Sequence, residues 1–181
     1  MKINPETYYH LYNRGNNKDI IFFEPDNYIF FLSQFKKHVS PYCQVYAYCL
    51  MPNHFHFFLK IKDKTYFDKG IKNFFISYSK SINKKYSRVG SLFQGRYKAS
   101  EITTDSYYTT VVTYIHQNPV VAKLAKNMED YKYSSYRAYL SDKVTMLNKK
   151  EVLEWFGGLE YFIEHHKIMM DEKEINKYFE V

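Results

Sequence analysis

His54 and His56 lie one residue apart in the stretch YCLMPNHFHFFLK, residues 48–60. In an extended strand, residues i and i+2 face the same side. The two imidazoles would therefore project together, while Phe55, Phe57 and Leu59 face the other way. Two neutral imidazoles on one strand face are half of a site for a divalent metal. Two solvated surface histidines would have the same sequence. A third ligand must come from another element, and the stretch DSYYTTVVTYIHQNP, residues 105–119, reads as a helix. At about 100° per residue, Tyr108, Val111, Val112 and Ile115 form its core stripe. Tyr114 and Asn118 are four apart and share another face with Tyr107, one turn separating them. Asn118 offers a carbonyl oxygen suited to a divalent cation. His116 falls nearly opposite Tyr114 and is poorly placed to join it.

The elements that must position these groups follow from periodicity and punctuation. Residues 7–15 alternate and end in Arg-Gly, which predicts a strand. Pro25 and Asp26 open an amphipathic helix over 25–39, with Tyr28, Phe31, Leu32, Phe35 and Val39 at helical spacing. Residues 43–50 and 54–61 read as two strands joined by the Met-Pro-Asn turn, a hairpin. A second helix spans 65–86, with Phe67, Ile71, Phe74, Phe75, Tyr78 and Ile82 inward. A short strand follows over 96–102. Thr103 to Ser106 is a capping sequence for the helix that carries Tyr114, and Pro119 ends it, because the residue before proline disfavours the α region. The order β-α-β-β-α-β predicts an α+β, ferredoxin-like fold: an antiparallel sheet with two helices on one face. The Tyr114 helix and a helical extension come after it. The chain divides into a body, 1–144, and an acidic extension, 145–181.

Charge supports this division. The net charge is +7. Residues 1–144 hold 21 basic and 11 acidic side chains, whereas residues 145–181 hold 5 and 8. So basic a body points to a polyanionic partner, with nucleic acid foremost. Aromatic residues make up 20% of the chain, and rings beside basic groups are how single strands are held. Arg14 in YNRGNN, and Arg96 with Lys98 in GRYK, lie at strand ends next to glycine and are placed to grip phosphates. Cys43 and Cys49 are six apart in one strand. Alternation puts both on one face, too distant to bond each other, so they read as reduced core thiols. No apolar run is long enough to span a bilayer, and MKINPETYYH lacks a signal-peptide core, so the expected location is the cytoplasm.

Four ordered motifs carry a family resemblance: LMPNHFH (50–56), GSLFQGRYKA (90–99), TYIHQNPVVAKLAK (113–126) and YKYSSYRAYL (131–140). Together they resemble the single-tyrosine HUH transposases of insertion sequences, and within them the REP-associated tyrosine transposases. The resemblance spans roughly residues 8 to 140. It implies His54, His56 and Asn118 as ligands of a divalent cation, Mg²⁺ or Mn²⁺, and Tyr114 as nucleophile. Many insertion-sequence members carry Gln where Asn118 stands. It further implies cleavage and strand transfer of single-stranded DNA beside a hairpin through a 5′-phosphotyrosine, in association with the nucleoid. Relatives include both homodimers and monomers. The group that activates Tyr114 is not specified by the sequence, with Lys98 and a metal-bound water as candidates. Two other readings compete: a single-strand RNA-binding sheet of the same architecture, which leaves the histidine pair and the Tyr114–Asn118 face without a purpose, and a zinc hydrolase, which lacks a third strong ligand.

Overall fold

The computed structural model describes residues 3–104 and 106–170. Four strands, β1 (Tyr8–Arg14), β2 (Cys43–Met51), β3 (His54–Ile61) and β4 (Lys98–Ile102), form one sheet in the order β2-β3-β1-β4. All neighbouring pairs are antiparallel. Helix α1 (Pro25–His38) connects β1 to β2, and α2 (Lys64–Lys85) connects β3 to β4. This is the α+β ferredoxin-like arrangement the element order predicts.

One face of the sheet packs on α1 and α2. Phe55 and Phe57 meet Phe31 and Phe35 there, and Phe35 stacks on Phe57 with ring centroids 4.1 Å apart. The helices approach closely at Gly70, where a Cβ would lie 2.0 Å from the His38 carbonyl oxygen. Glu24 and Asn27 form a capping box at the start of α1, and Asp63 caps α2 by accepting from the Tyr66 N–H.

The other face is covered too. Helix α3 (Ser106–Val121) lies across β2 and β3. After the short α4 (Tyr136–Tyr139), helices α5 (Lys149–Phe156) and α6 (Leu159–Lys167) pack beside α3. Trp155 of α5 meets Tyr8, Tyr46, Phe58 and Tyr108, while Phe162 of α6 meets Tyr136 and Tyr139. Val152, Phe162 and His166 are fully buried. The first part of the 145–181 extension is thus two helices seated on the body. Residues 171–181 of that extension, and Asp105 of the expected cap, lie outside the described residues. Among the described residues, no helix is long and apolar enough to cross a membrane.

Two expectations fail, each for a physical reason. Cys43 and Cys49 are both buried free thiols, but they face opposite sides of the sheet. Cys43 stands opposite Ile61 and Cys49 opposite His56, because a bulge between Val45 and Ala47 inserts one residue and reverses the alternation. Helix α3 also does not stop at Asn118; it runs through Pro119 to Val121. Proline withholds its N–H from the Ile115 carbonyl, yet the helix is held from both sides. Asn118 Nδ2 donates to the Tyr114 carbonyl at 2.8 Å, and the Ala122 N–H donates to the Asn118 carbonyl at 2.9 Å. Buried Gln117 donates to the carbonyls of His166 (3.0 Å) and Ile168 (2.8 Å) and accepts from the Met170 N–H (3.1 Å). Next to it, His116 bonds His166 (2.9 Å) and Ser135 (2.7 Å). Tertiary bonds therefore override a local stop signal.

If α6 is part of the core, Phe162→Ala should lower stability by about 3–5 kcal/mol, as for other buried aromatic truncations. Urea unfolding of the full chain measures this; an unchanged midpoint would show that α6 contributes nothing to the folded body.

Candidate active site

Register decides what meets on the α3 face of the sheet. Because β1 lies between β3 and β4, Arg14 stands opposite His54, Tyr12 opposite His56, and Lys98 opposite Tyr12. Paired residues share a face. The rows Met51–His54–Arg14 and Cys49–His56–Tyr12–Lys98 thus run across the sheet. The next loop brings in Gln94 and Arg96. Tyr12, Arg14, His54, His56, Gln94, Arg96 and Lys98, with Asn13, Lys18 and Asn53, line one groove of about 490 Å³. Arg14, Arg96 and Lys98, singled out from separate sequence stretches, are brought to the same groove as both histidines. Among the described residues, none of Arg14, Lys18, Arg96 and Lys98 forms an ion pair, so the groove keeps its positive charge.

The aromatic and imidazole rings are layered. Tyr12 stacks on His10 (4.9 Å) and His56 (6.0 Å), and the Lys98 ammonium lies 5.8 Å from the Tyr12 ring centroid. His10 stacks on His56 at 5.1 Å. Tyr114 meets both from α3, edge-on, with centroids 5.6 Å from His56 and 5.8 Å from His10. Tyr114 is only 5% exposed. Burial pushes its phenol up to about 12, against a smaller lowering by the Asn118 side chain. Asn118 is half-buried and does not line the groove; its amide turns back to the Tyr114 carbonyl. His116 points away, into the α6 contact, as its angle on the helix requires.

The imidazoles are held neutral. Burial lowers His54 to about 4, with the Arg14 guanidinium adding to the effect, and lowers His56 well below its ordinary value. Neutral rings keep a lone pair for a cation. His54 uses Nδ1 on the Asn53 side chain (2.7 Å), and His56 uses Nδ1 on His10 Nε2 (2.9 Å). His56 Nε2 is buried and has no hydrogen-bond partner among the described residues. A buried imidazole nitrogen left without a partner beside a second imidazole fits a metal-ligand role. No three His, Cys, Asp or Glu side chains gather as a metal cluster among the described residues. A cation here would rest on two imidazoles and further oxygen donors.

His10, Tyr12 and Asn53 were not singled out by sequence reasoning. The available signal was alternation: His10, Tyr12 and Arg14 occupy every second position of β1 and so share Arg14's face.

The family model described as "Transposase IS200 like" matches residues 5–118, a stretch that contains all of these residues, and the chain belongs to that family. Its fold matches that of a REP-associated tyrosine transposase solved bound to a REP hairpin. The TM-score is 0.62, with 78% of this chain and 83% of that chain covered at 15% sequence identity. No curated protein matches the chain closely enough to count as a relative.

The buried imidazoles make stability depend on pH with a defined sign. His10 is lowered by burial from 6.5 to about 3, and burial lowers His116 well below its ordinary value. The unfolded chain binds protons below pH 6.5 that the folded chain refuses, so stability is complete above that pH and is lost as pH falls. Each such histidine removes about 1.4 kcal/mol per pH unit across the window between its two values. Melting temperature should therefore drop steeply from pH 7 to pH 4.5; a flat profile would contradict neutral burial of these rings.

Proposed function

We propose that this protein cleaves and rejoins single-stranded DNA through Tyr114, with Mg²⁺ or Mn²⁺ held by His54 and His56 and by Asn118 once its amide, which here bonds the Tyr114 carbonyl, turns toward them. The observation that carries this reading is the contact of Tyr114 with His56 at a basic groove. His56 offers a buried nitrogen without a partner, and Arg14, Arg96 and Lys98 line the same groove. A bound divalent cation supplies Lewis acidity to a non-bridging phosphate oxygen. The protein's own groups do the rest. Arg14, Arg96 and Lys98 seat phosphates of the strand, and Tyr12 offers a ring beside them. The Tyr114 oxygen bonds to phosphorus, the 3′ oxygen leaves as a hydroxyl after taking up a proton, and the 5′-phosphate stays on the tyrosine. The diester energy is retained, so another 3′-hydroxyl can reverse the step and join strands.

Tyr114 carries its proton at neutral pH and is buried, so reaction requires the phenol to reach the strand and lose that proton there. The substrate is single-stranded DNA next to a hairpin, in keeping with family membership and with the hairpin-bound transposase whose fold this chain shares. Residues 1–144 hold the proposed site, residues 145–181 form the extension, and the activity belongs with the nucleoid in the cytoplasm. A purely binding, RNA-recognition-like role has less support. Such sheets use an open aromatic face, whereas Tyr8, Tyr46 and Phe58 here lie under Tyr108 and Trp155.

Incubation with labelled, hairpin-containing single strands and Mn²⁺ should yield a protein–DNA adduct that survives denaturing electrophoresis. EDTA should prevent it, and Tyr114→Phe should abolish it while leaving strand binding in place. An undiminished adduct in Tyr114→Phe would remove Tyr114 from the role.

A further inference from the structure

An imidazole serves a cation through one nitrogen only if its proton sits on the other. His54 and His56 each use Nδ1 for a neighbour in the protein. A ring that donates through Nδ1 keeps its lone pair on Nε2. A ring that accepts at Nδ1 carries its proton on Nε2 and has nothing to offer a cation there. The orientation of the Asn53 amide therefore decides whether His54 can act as a ligand.

That orientation is fixed from outside the histidine pair. Asn53 bonds the Lys18 main-chain carbonyl at 3.1 Å. A carbonyl only accepts, so the Asn53 atom facing it must be the NH₂ group. The amide oxygen is left facing His54 at 2.7 Å, and it too only accepts. The proton of His54 is thereby placed on Nδ1. The segment that supplies the Lys18 carbonyl is built around the Pro52–Asn53 turn. The Gly15 N–H donates to the Asn53 carbonyl (2.7 Å), and the Ile21 and Phe22 N–H groups donate to the Pro52 carbonyl (2.8 and 3.1 Å). To reach this position the chain turns tightly. Asn17 and Lys18 both adopt left-handed backbone, with φ of 55° and 62°. A Cβ on Gly15 would lie 1.9 Å from the Asp19 carbonyl oxygen. Backbone of this kind persists where its surroundings over-determine it. Besides the Lys18 side chain in the groove lining, this turn delivers to the site an acceptor aimed at Asn53.

We propose that Asn53, oriented by the Lys18 carbonyl, is a positioning residue that selects the Nδ1–H tautomer of His54 and thereby sets the cation affinity of the groove. His56 also has a partner for its Nδ1 inside the protein, His10 Nε2 at 2.9 Å. This rests on the reading of His54 and His56 as ligands. Partners behind a metal-bound imidazole are typically worth about ten- to a hundredfold in metal affinity.

Two measurements on the full chain test the proposal. Long-range ¹H–¹⁵N correlation of the metal-free protein reads the histidine tautomers, and Mn²⁺ titration followed by electron paramagnetic resonance reads affinity. His54 is expected as the Nδ1–H tautomer. Asn53→Ala should weaken Mn²⁺ binding by about ten- to a hundredfold, and Asn53→Asp, which restores an acceptor toward His54, should recover most of the loss. Unchanged affinity in Asn53→Ala, where His54→Ala abolishes binding, overturns the proposal and leaves the metal reading standing. Wild-type protein that binds no Mn²⁺, or binds it no better than His54→Ala, overturns both. The wild-type tautomer needs no variant: a proton on His54 Nε2 is by itself enough to overturn the positioning claim.

Discussion

The antiparallel pairing of β1 with β3 brings Arg14 opposite His54 and Tyr12 opposite His56, and the placement of β4 on the far side of β1 adds Lys98 to the same row. Every group at the site inherits its position from these ladders. Side-chain alternation has a period of two, so a slip of one residue that turned β3 over would send the imidazoles into the α1–α2 core and the phenylalanines into the groove, and the same slip in β4 would turn Lys98 away from them. Register is therefore over-determined. Phe55 and Phe57 have no room outside the core they fill, and burying each aromatic side chain is worth about 1.5–3 kcal/mol. The hydrophobic packing on one face of the sheet specifies the chemistry on the other.

Helix α3 divides its surface in a similar way. Tyr108, Val111, Val112 and Ile115 are buried against the sheet, and Tyr114 reaches the imidazoles. Thr113, His116 and Gln117, at spacings of three and four, bond the end of α6 and the residues after it. The polar side chains of that third group are satisfied inside the protein, as burial demands. The helix that holds the tyrosine is thus fixed by hydrogen bonds on the side away from the groove. The same burial that fixes Tyr114 also keeps its phenol protonated.

Element types and order were legible in the sequence because each depends on local periodicity. The boundaries of α1, β3 and α2 came within a residue of those observed. Tyr114 and Asn118 could be placed on one helix face, and His116 off it, from helix geometry alone. What was not legible depends on partners across the fold. The bulge that separates Cys43 from Cys49 exists only in the pairing of β2 with β3. The passage of α3 through Pro119 is held by Gln117 and the segment after α6, some fifty residues away. His10 and Asn53 acquire their meaning from the hydrogen bonds they make to His56 and His54, and no spacing rule within one strand or turn reveals those. That Arg14, Arg96 and Lys98 line a single groove likewise follows from the sheet order.

The central claim is that one phenol among twenty tyrosines is the nucleophile. The most direct measurement is peptide mapping by mass spectrometry of the covalent adduct formed with single-stranded hairpin DNA after nuclease and protease digestion. The nucleotide phosphate should be found on the peptide containing Tyr114, linked through the phenolic oxygen. A nucleotide found on any other residue would contradict it.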